Sequence, residues 1–266
     1  WLADRSFCFV PTIGSMVLIK SLVFDKDGVI LDLIETWLPV MQSLADYTLG
    51  LVPAGADTTL NRAALLSKIG IDDKTGLIDS NGLFARGSFF EIRAVWQTLL
   101  PPDMINLQQD EIYRLEVKRI VQEQGRGNAV PKGELLAPLT RLAEAGFRLA
   151  VLTNDSEGSA RQGLEELGIQ HLFDPVIGAD SGHGGKPDPR GLLHCCAMHG
   201  SDPAETLMIG DTGADYGAAV NADVGGFICI ADDPEQRPDM AIDVADVIPR
   251  LSDLPDLLIR RGDMSG

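Results

Sequence analysis

Hydrophobic residues divide the chain into three parts. Residues 18–30 form an apolar run interrupted by acidic residues and by Gly28, which is typical of a buried strand that ends in a turn. Residues 35–126 then carry apolar side chains at helical spacing, with no strand pattern between them. From Gly133 onward, short apolar strands alternate with helices. Strict alternation predicts a mostly parallel α/β sheet with right-handed crossovers and helices on both faces.

This pattern predicts a Rossmann-like α/β core that receives a helical insertion after its first strand. We assign residues 16–34 and 128–266 to the core and residues 35–127 to the insertion. Residues 1–15 precede the first strand, and Met16 stands directly before it. We therefore interpret residues 1–15 as an upstream or cloning-derived segment that the fold does not need.

Composition narrows the functional classes. The chain has 22 basic and 39 acidic residues, a formal charge of −17, and no basic patch, so it should repel the phosphate backbone of nucleic acids. No apolar run reaches the ~18 residues of a membrane span. The four cysteines lack a C-x-x-C spacing, which favours free thiols in a reducing cytosol over a zinc site or a disulfide framework. We therefore expect a cytoplasmic protein with neither a nucleic acid nor a membrane as its partner.

The acidic turn after the first strand is the first candidate for chemistry. In an extended segment, residues two apart point the same way, so Asp25 and Asp27 can face one site at the edge where α/β sheets bind ligands. Two carboxylates this close need a compensating cation, and oxygen ligands suit Mg²⁺. Lys26, between them, should point its side chain away from theirs. The alternative is an ordinary acidic turn, since Asp and Gly are common turn residues.

Polar side chains also stand at later turns of the predicted sheet. Thr153 and Asn154 follow one strand, and Lys186 lies in a Gly-rich loop. Asp211 and Asp215 follow another strand. Because parallel strands end at the same edge of a sheet, these groups can converge on the acidic turn. A carboxylate nucleophile, a metal and neutral or positive donors suit displacement at a phosphoryl group, where positioning and charge neutralisation provide most of the catalysis.

Each of these later residues also has an ordinary structural interpretation. Lys186 alone would be a solvated surface lysine, and Asp215 alone would favour a helix N-terminus. Thr153 and Asn154 could cap the helix that follows them. Their occurrence together with the acidic turn favours one shared site, because independent coincidences multiply.

Four segments of the chain, in this order, resemble the signature motifs of the haloacid dehalogenase superfamily. They are Phe24-Asp25-Lys26-Asp27-Gly28-Val29, Leu152-Thr153-Asn154, Lys186-Pro187 and Gly210-Asp211-Thr212-Gly213-Ala214-Asp215. The helical insertion is similar to the C1 cap of that superfamily, and the D-x-D form of the first motif resembles its phosphatases rather than its dehalogenases. Residues 180–187 add a similarity to phosphoglycolate phosphatase-like members.

The resemblance implies a role for each motif residue. Asp25 would be the nucleophile that forms an aspartyl-phosphate, and Asp27 would protonate the leaving group and then activate water. The implied Mg²⁺ ligands are a carboxylate oxygen of Asp25, the backbone carbonyl of Asp27, and Asp211, with Asp215 as a neighbouring or occasional ligand. The implied partners of the phosphoryl oxygens are Thr153, Asn154 and Lys186.

These features together predict a Mg²⁺-dependent phosphatase that acts on a small phosphorylated metabolite, with phosphoglycolate as the leading substrate. The alternatives are a phosphomutase or pyrophosphatase on the same core, or a non-catalytic phosphate-binding protein. Specificity is expected in the cap, where Arg86, Ser88 or Arg93 could meet a substrate carboxylate. The other interpretation of these arginines is exposed helical surface. Hinges for cap movement are expected near residues 33–35 and 127–132.

Overall fold

Six parallel strands form one sheet in the computed structural model, which describes residues 18–53, 59–79, 82–125, 127–232 and 246–266. The strands are β1 (Ser21–Phe24), β2 (Arg148–Leu152), β3 (Val176–Ile177), β4 (Thr206–Gly210), β5 (Gly226–Ile230) and β6 (Val247–Ile248). Their order across the sheet is β3-β2-β1-β4-β5-β6, and every neighbouring pair is parallel. The predicted fold class is therefore confirmed. The segment assigned to residues 1–15 lies outside the described residues.

The helices of the described ranges form two groups. Five lie in the insertion after β1, namely α1 (Leu33–Gly50), α2 (Arg62–Lys68), α3 (Leu83–Arg86), α4 (Phe89–Gln97) and α5 (Glu111–Gly125). Five more alternate with the later strands, namely α6 (Leu136–Glu144), α7 (Glu157–Glu166), α8 (Arg190–His199), α9 (Gly213–Asn221) and α10 (Leu254–Arg261). None of these helices is long and apolar enough to cross a membrane.

Side chains of β1 alternate between the two faces of the sheet. Leu22 and Phe24 join an apolar cluster that includes side chains of α6, α7 and α10. Val23 points to the other face and joins a cluster that includes side chains of α8 and α9. Helices therefore cover both faces, which is why Leu22, Val23 and Phe24 are all apolar instead of alternating with polar residues.

The insertion has an apolar cluster of its own. Trp37 and Met41 of α1 pack in this cluster with Leu65 of α2, Trp96 of α4 and Tyr113 of α5. Helix α1 begins after Asp32, whose side chain accepts a hydrogen bond from a backbone amide of the first turn. Helix α1 thus begins at Leu33, two residues before the predicted start of the insertion at residue 35.

Two linkers connect the insertion to the core, and they are hydrogen-bonded to each other. Leu31 and Pro131 form an isolated antiparallel bridge. Beside this bridge, the backbone amide of Lys132 donates to the carbonyl of Ile30 over 2.8 Å. The chain therefore leaves the core and returns to it at one place, next to the acidic turn.

Candidate active site

Asp25 lies directly after β1, at the carboxyl edge of the sheet. Its backbone amide donates to the carbonyl of Ile209 in β4 over 2.8 Å, so strand pairing continues up to this residue. Its Oδ1 atom accepts a hydrogen bond from the backbone amide of Lys26 over 2.6 Å and lies 2.6 Å from Nζ of Lys186. The carboxylate is buried, and a strand, a turn and a cation fix its orientation.

Lys186 joins Asp25 to a second carboxylate, that of Asp215. Its Nζ atom lies 2.6 Å from Oδ1 of Asp215, and its side chain is 3% exposed, so the surface-lysine interpretation is wrong. The other oxygen of Asp215 accepts hydrogen bonds from the backbone amide and the hydroxyl of Thr212, which caps α9. Burial alone would lower the pKa of Lys186, but the charges of Asp215 and Asp25 raise it above the usual value. Lys186 is therefore a fixed positive charge.

Three carboxylates meet at this edge and form a candidate metal site. One oxygen from each of Asp25, Asp211 and Asp215 lies within 4.8 Å of the others. Burial raises the pKa of Asp25 to about 7, Asp215 adds to this effect, and Lys186 partly offsets it. Burial and the charge of Asp25 also raise the pKa of Asp211 well above its usual range. Oδ1 of Asp211 is buried and has no hydrogen-bond partner among the described residues. Such a set of oxygen ligands fits a divalent cation.

Gly28 leaves the space that the Asp211 carboxylate occupies. Its φ angle is +83°, and a Cβ atom on Gly28 would lie 2.0 Å from Oδ2 of Asp211. The acidic turn therefore requires glycine for two reasons, the left-handed backbone conformation and the close approach of a carboxylate.

Two donors hold the carboxylate of Asp27. Nε1 of Trp37 donates to its Oδ1 atom over 2.6 Å. Nζ of Lys26 lies 3.0 Å from Oδ1 and 2.9 Å from Oδ2 of Asp27. The Asp27 side chain is 19% exposed and lines a cavity beside Asp25, whereas the group of three carboxylates does not include it. Its metal contact through the backbone carbonyl stays a prediction.

Lys26 does not point away from the acidic turn, so the sequence-based expectation for this side chain is wrong. The side chain is 1% exposed, and Nζ also lies 3.0 Å from Oδ2 of Asp155 and 4.9 Å from the centre of the Trp37 ring. Alternation of side-chain directions holds only in an extended segment. The chain turns here, because the amide of Ile30 donates back to the carbonyl of Lys26 over 2.9 Å. Burial alone would lower the pKa of Lys26, but Asp27 and Asp155 raise it.

Thr153 and Asn154 lie in the turn after β2, beside Asp25. Asn154 brackets the backbone of Lys186, since its Oδ1 accepts from the Lys186 amide over 2.7 Å and its Nδ2 donates to the Lys186 carbonyl over 3.1 Å. Oγ1 of Thr153 accepts from the amide of Asp155 over 3.1 Å. Helix α7 is capped by Ser156, so the helix-cap interpretation of Thr153 and Asn154 is wrong. The structure brings both residues to the acidic turn.

A cavity of about 80 Å³ lies between this edge of the sheet and the insertion. One wall is polar and contains Asp25, Asp27, Thr153, Asn154 and Lys186. The opposite wall consists mainly of apolar side chains from the insertion, among them Trp37, Met41, Phe84, Phe89 and Ile92. The site therefore combines charged and apolar surfaces, as a pocket for a small organic anion requires.

The three residues expected to set specificity are in different positions. Ser88 lines the cavity, but its hydroxyl donates to Glu91 over 2.9 Å within the capping box of α4. Arg93 lines a second cleft beside the cavity. The side chain of Arg86 lies outside the described part of the chain.

Sequence reasoning missed three residues of this site. Lys26 and Trp37 contact Asp27, and Asp155 contacts Lys26. The sequence around Lys26 could have predicted its contacts. A lysine in an otherwise apolar and acidic turn needs acidic partners if it is buried. Trp37 reaches Asp27 only because the insertion packs against the acidic turn, and no local pattern reports that packing. Asp155 reaches Lys26 because the turns after β1 and β2 lie side by side.

Fold and site together define an α/β enzyme whose carboxyl-edge site presents acids, a lysine, a hydroxyl and an amide to one cavity. The protein-family model of haloacid dehalogenase-like hydrolases matches residues 19–223. The chain belongs to the haloacid dehalogenase-like hydrolase family. This result confirms the predicted family and the prediction of a hydrolase.

Curated relatives agree with this assignment, and a solved structure shares the fold. A phosphoglycolate phosphatase from Agrobacterium fabrum is 30% identical over 226 residues, which cover 83% of this chain and 87% of that protein. A phosphoglycolate phosphatase from Psychrobacter arcticus is 40% identical over 86 residues, only 32% of this chain and 37% of that protein. The crystal structure of a predicted phosphoglycolate phosphatase from Haemophilus somnus has a TM-score of 0.65 at 18% identity, covers 91% of this chain and 99% of that chain, and shares the fold.

Proposed function

We propose that the protein is a Mg²⁺-dependent phosphatase that hydrolyses a small phosphorylated metabolite through an aspartyl-phosphate on Asp25. One observation carries this proposal, namely that Asp25 and Lys186 form an ion pair in the lining of one cavity, while the carboxylate of Asp211 lies beside that of Asp25. A buried carboxylate can attack an anionic phosphoryl group only where nearby positive charge offsets the repulsion. Lys186 supplies one such charge, and a divalent cation at the three carboxylates would supply the rest.

The proposed metal ligands are Asp25, Asp211 and the backbone carbonyl of Asp27, with Asp215 nearby. When bound, Mg²⁺ would neutralise negative charge on the phosphoryl oxygens and on the attacking carboxylate. The unpaired, buried Oδ1 of Asp211 supports this ligand set. Lys186, the hydroxyl of Thr153 and the amide of Asn154 would orient the phosphoryl oxygens.

The reaction has two steps, both at the phosphorus atom. In the first, an oxygen of Asp25 forms a bond to phosphorus, the ester P–O bond breaks, and Asp27 gives its proton to the leaving alkoxide. In the second, Asp27 takes a proton from water, the hydroxide attacks phosphorus, and the bond to Asp25 breaks. Inorganic phosphate leaves, and both carboxylates return to their starting states.

Residues 35–127 form the proposed cap, and residues 16–34 and 128–266 form the proposed core. The separate apolar cluster of the insertion and the paired linkers at Leu31 and Pro131 support this division. The cap would exclude bulk water from the cavity while the leaving group departs. Phosphoglycolate is the leading substrate, because the curated relatives described above are named phosphoglycolate phosphatases. The buried free thiols Cys195 and Cys196 are compatible with the proposed cytoplasmic location.

An Asp25→Asn variant tests the function. We expect Mg²⁺-dependent release of inorganic phosphate from p-nitrophenyl phosphate and from phosphoglycolate by the wild type, and a loss of about a thousandfold or more in kcat for the variant. Acid-quenched wild type should retain labelled phosphate that the variant lacks. Asp103→Asn, which changes an exposed acid of the insertion, is the matched control. A variant with wild-type turnover would contradict the proposal, and transfer to a second ester instead of water would indicate a phosphomutase.

A further inference from the structure

A second cleft opens beside the proposed active site. It lies between α4 and α5 of the insertion and the loops that follow β2 and β3, with a volume of about 720 Å³. The cleft and the smaller cavity share Ser88, Phe89, Asn154 and Asp155 as wall residues. The cavity and the cleft therefore adjoin along these four residues.

Three cationic side chains line this cleft, namely Arg93 of α4 and Arg114 and Lys118 of α5. Arg93 is half-buried, and its Nε atom is buried without a hydrogen-bond partner among the described residues. Burial lowers the pKa of Arg93, with a further contribution from Arg114, whereas Tyr113 partly offsets these effects. A buried guanidinium donor without an acceptor is unfavourable, and an anionic ligand would supply the acceptor.

Acidic residues of the cleft do not meet this requirement. Asp155 pairs with Lys26 at 3.0 Å, and Asp180 accepts a hydrogen bond from the amide of Glu157 over 2.8 Å. Glu111, the third acid of the cleft wall, is exposed. Arg93 therefore keeps an unused donor even though acids lie on the same surface.

Among the described residues, the lining of the smaller cavity offers no cation for a second anionic group. Lys186 is the one cationic side chain in its described lining, and its Nζ atom already contacts Asp25 and Asp215. The chain carries a formal charge of −17, so its overall field repels anions and their capture depends on local cations. Within the part of the chain that the structure describes, the cleft provides these cations next to the cavity.

We propose that Arg93, assisted by Arg114 and Lys118, binds a second anionic group of the substrate. The substrate would then be a phosphate ester whose leaving group carries a carboxylate or another phosphate. This inference rests on the proposed function, because it places the ester phosphoryl group at Asp25. It makes Arg93 a specificity-determining residue that does not contact the reacting atoms.

The test compares kcat/KM for esters with and without a second anion. The first pair is phosphoglycolate against ethyl phosphate, and the second is a sugar bisphosphate against the corresponding monophosphate. We expect Arg93→Met to lower kcat/KM about ten- to a hundredfold more for the anion-bearing member of at least one pair. The pair that responds identifies the carboxylate or the phosphate as the recognised group. Equal changes for both members of both pairs would overturn the inference.

Two further variants separate recognition from general effects on the insertion. Arg114→Met changes an exposed side chain of the cleft, and we expect a smaller loss that is selective in the same direction. Arg119→Met removes a cation on the same helix that pairs with Glu116 and Glu123 and lies outside the cleft wall. We expect no selective loss for Arg119→Met. A loss of the same size in this control would overturn the inference.

A binding experiment makes the test independent of turnover. Phosphonates have no ester bond to hydrolyse, so phosphonoacetate and methylphosphonate can be titrated calorimetrically into the Mg²⁺-loaded wild type. We expect phosphonoacetate to bind at least tenfold more tightly, and Arg93→Met to abolish the difference. Equal affinities in the wild type would overturn the carboxylate form of the inference. If no ester releases phosphate, the proposed function fails while this comparison still reports on Arg93.

Discussion

Nζ of Lys26 lies 3.0 Å from Oδ1 of Asp27 and 3.0 Å from Oδ2 of Asp155, so one buried ammonium joins two carboxylates from distant parts of the chain. Trp37 of α1 adds a third connection, because its Nε1 donates to the same oxygen of Asp27. The orientation of the proposed acid and base thus depends on the first turn, the turn after β2 and the insertion together.

Replacing Lys26 with methionine tests this dependence. The variant leaves Asp27 and Asp155 without their shared cation, so we expect the free energy of unfolding to fall by about 3 kcal/mol. We also expect kcat to fall by about tenfold or more, because Asp27 loses its fixed orientation. Urea unfolding and steady-state kinetics measure the two effects. Lys20→Met is the matched control, since Lys20 is 54% exposed and pairs with Glu205. Equal kcat values for the two variants would contradict the prediction.

Replacing Trp37 with phenylalanine keeps an aromatic ring in the cluster but removes the donor to Asp27. We expect kcat to fall by about tenfold, because the Asp27 side chain loses a hydrogen bond that fixes its orientation. Trp96→Phe serves as the control, because the Nε1 atom of Trp96 donates to the carbonyl of Leu65 inside the same cluster. That control should lose stability in urea unfolding and retain kcat. If both variants lose kcat equally, the contact with Asp27 does not matter for turnover.

Replacing Gly28 with alanine should displace the Asp211 carboxylate. Gly146 provides the matched control, because its φ angle is +96° and a Cβ atom there would have nothing within 4 Å. We expect Gly146→Ala to cost about 1–2 kcal/mol of unfolding free energy through backbone strain alone. Gly28→Ala should cost about 1–3 kcal/mol more, owing to the clash, and should weaken Mg²⁺ binding measured by calorimetry. Unchanged Mg²⁺ affinity in Gly28→Ala would argue against Asp211 as a ligand.

The acid cluster predicts how stability depends on pH and on Mg²⁺. The pKa of Asp25 is raised from 3.8 to about 7, so between these values the folded metal-free protein binds a proton that the unfolded chain has lost. Its contribution to stability is therefore fully present below pH 3.8 and is lost as the pH rises through about 7. The raised pKa of Asp211 acts in the same direction.

Mg²⁺ should offset this loss by compensating the ionised carboxylates. We expect added Mg²⁺ to raise the urea midpoint more at about pH 8 than at about pH 5, because the ligands must be deprotonated. Asp25→Asn should flatten the pH dependence of the metal-free protein. A Mg²⁺ effect that is equal at both pH values, or larger at low pH, would contradict the proposed ligand set.

Much of the site could be predicted from local sequence. The apolar residues Leu22, Val23 and Phe24 identify a buried strand, and the rule that parallel strands end at one edge brings Asp25 and Asp211 together. These predictions succeed because they depend on hydrophobic pattern and topology, which short segments encode.

The remaining features depend on turns and on packing between distant segments. The predicted direction of the Lys26 side chain is wrong because the chain leaves the extended conformation immediately after Asp25. Helix α3 has only four residues, too few for the spacing of apolar side chains to predict where it begins and ends. The cleft at Arg93 exists only because α4 and α5 face Asn154 and Asp155 across the two parts of the fold.

The bridge between Leu31 and Pro131 has a consequence for how such a protein can change. The insertion between them begins and ends at neighbouring backbone positions, and its described residues contribute no strand to the six-stranded sheet. A different insertion could replace it at the same two positions while every pair of strands in the sheet stays hydrogen-bonded. The surface of the insertion, which is proposed to select the substrate, can therefore change in sequence without displacing Asp25, the proposed nucleophile.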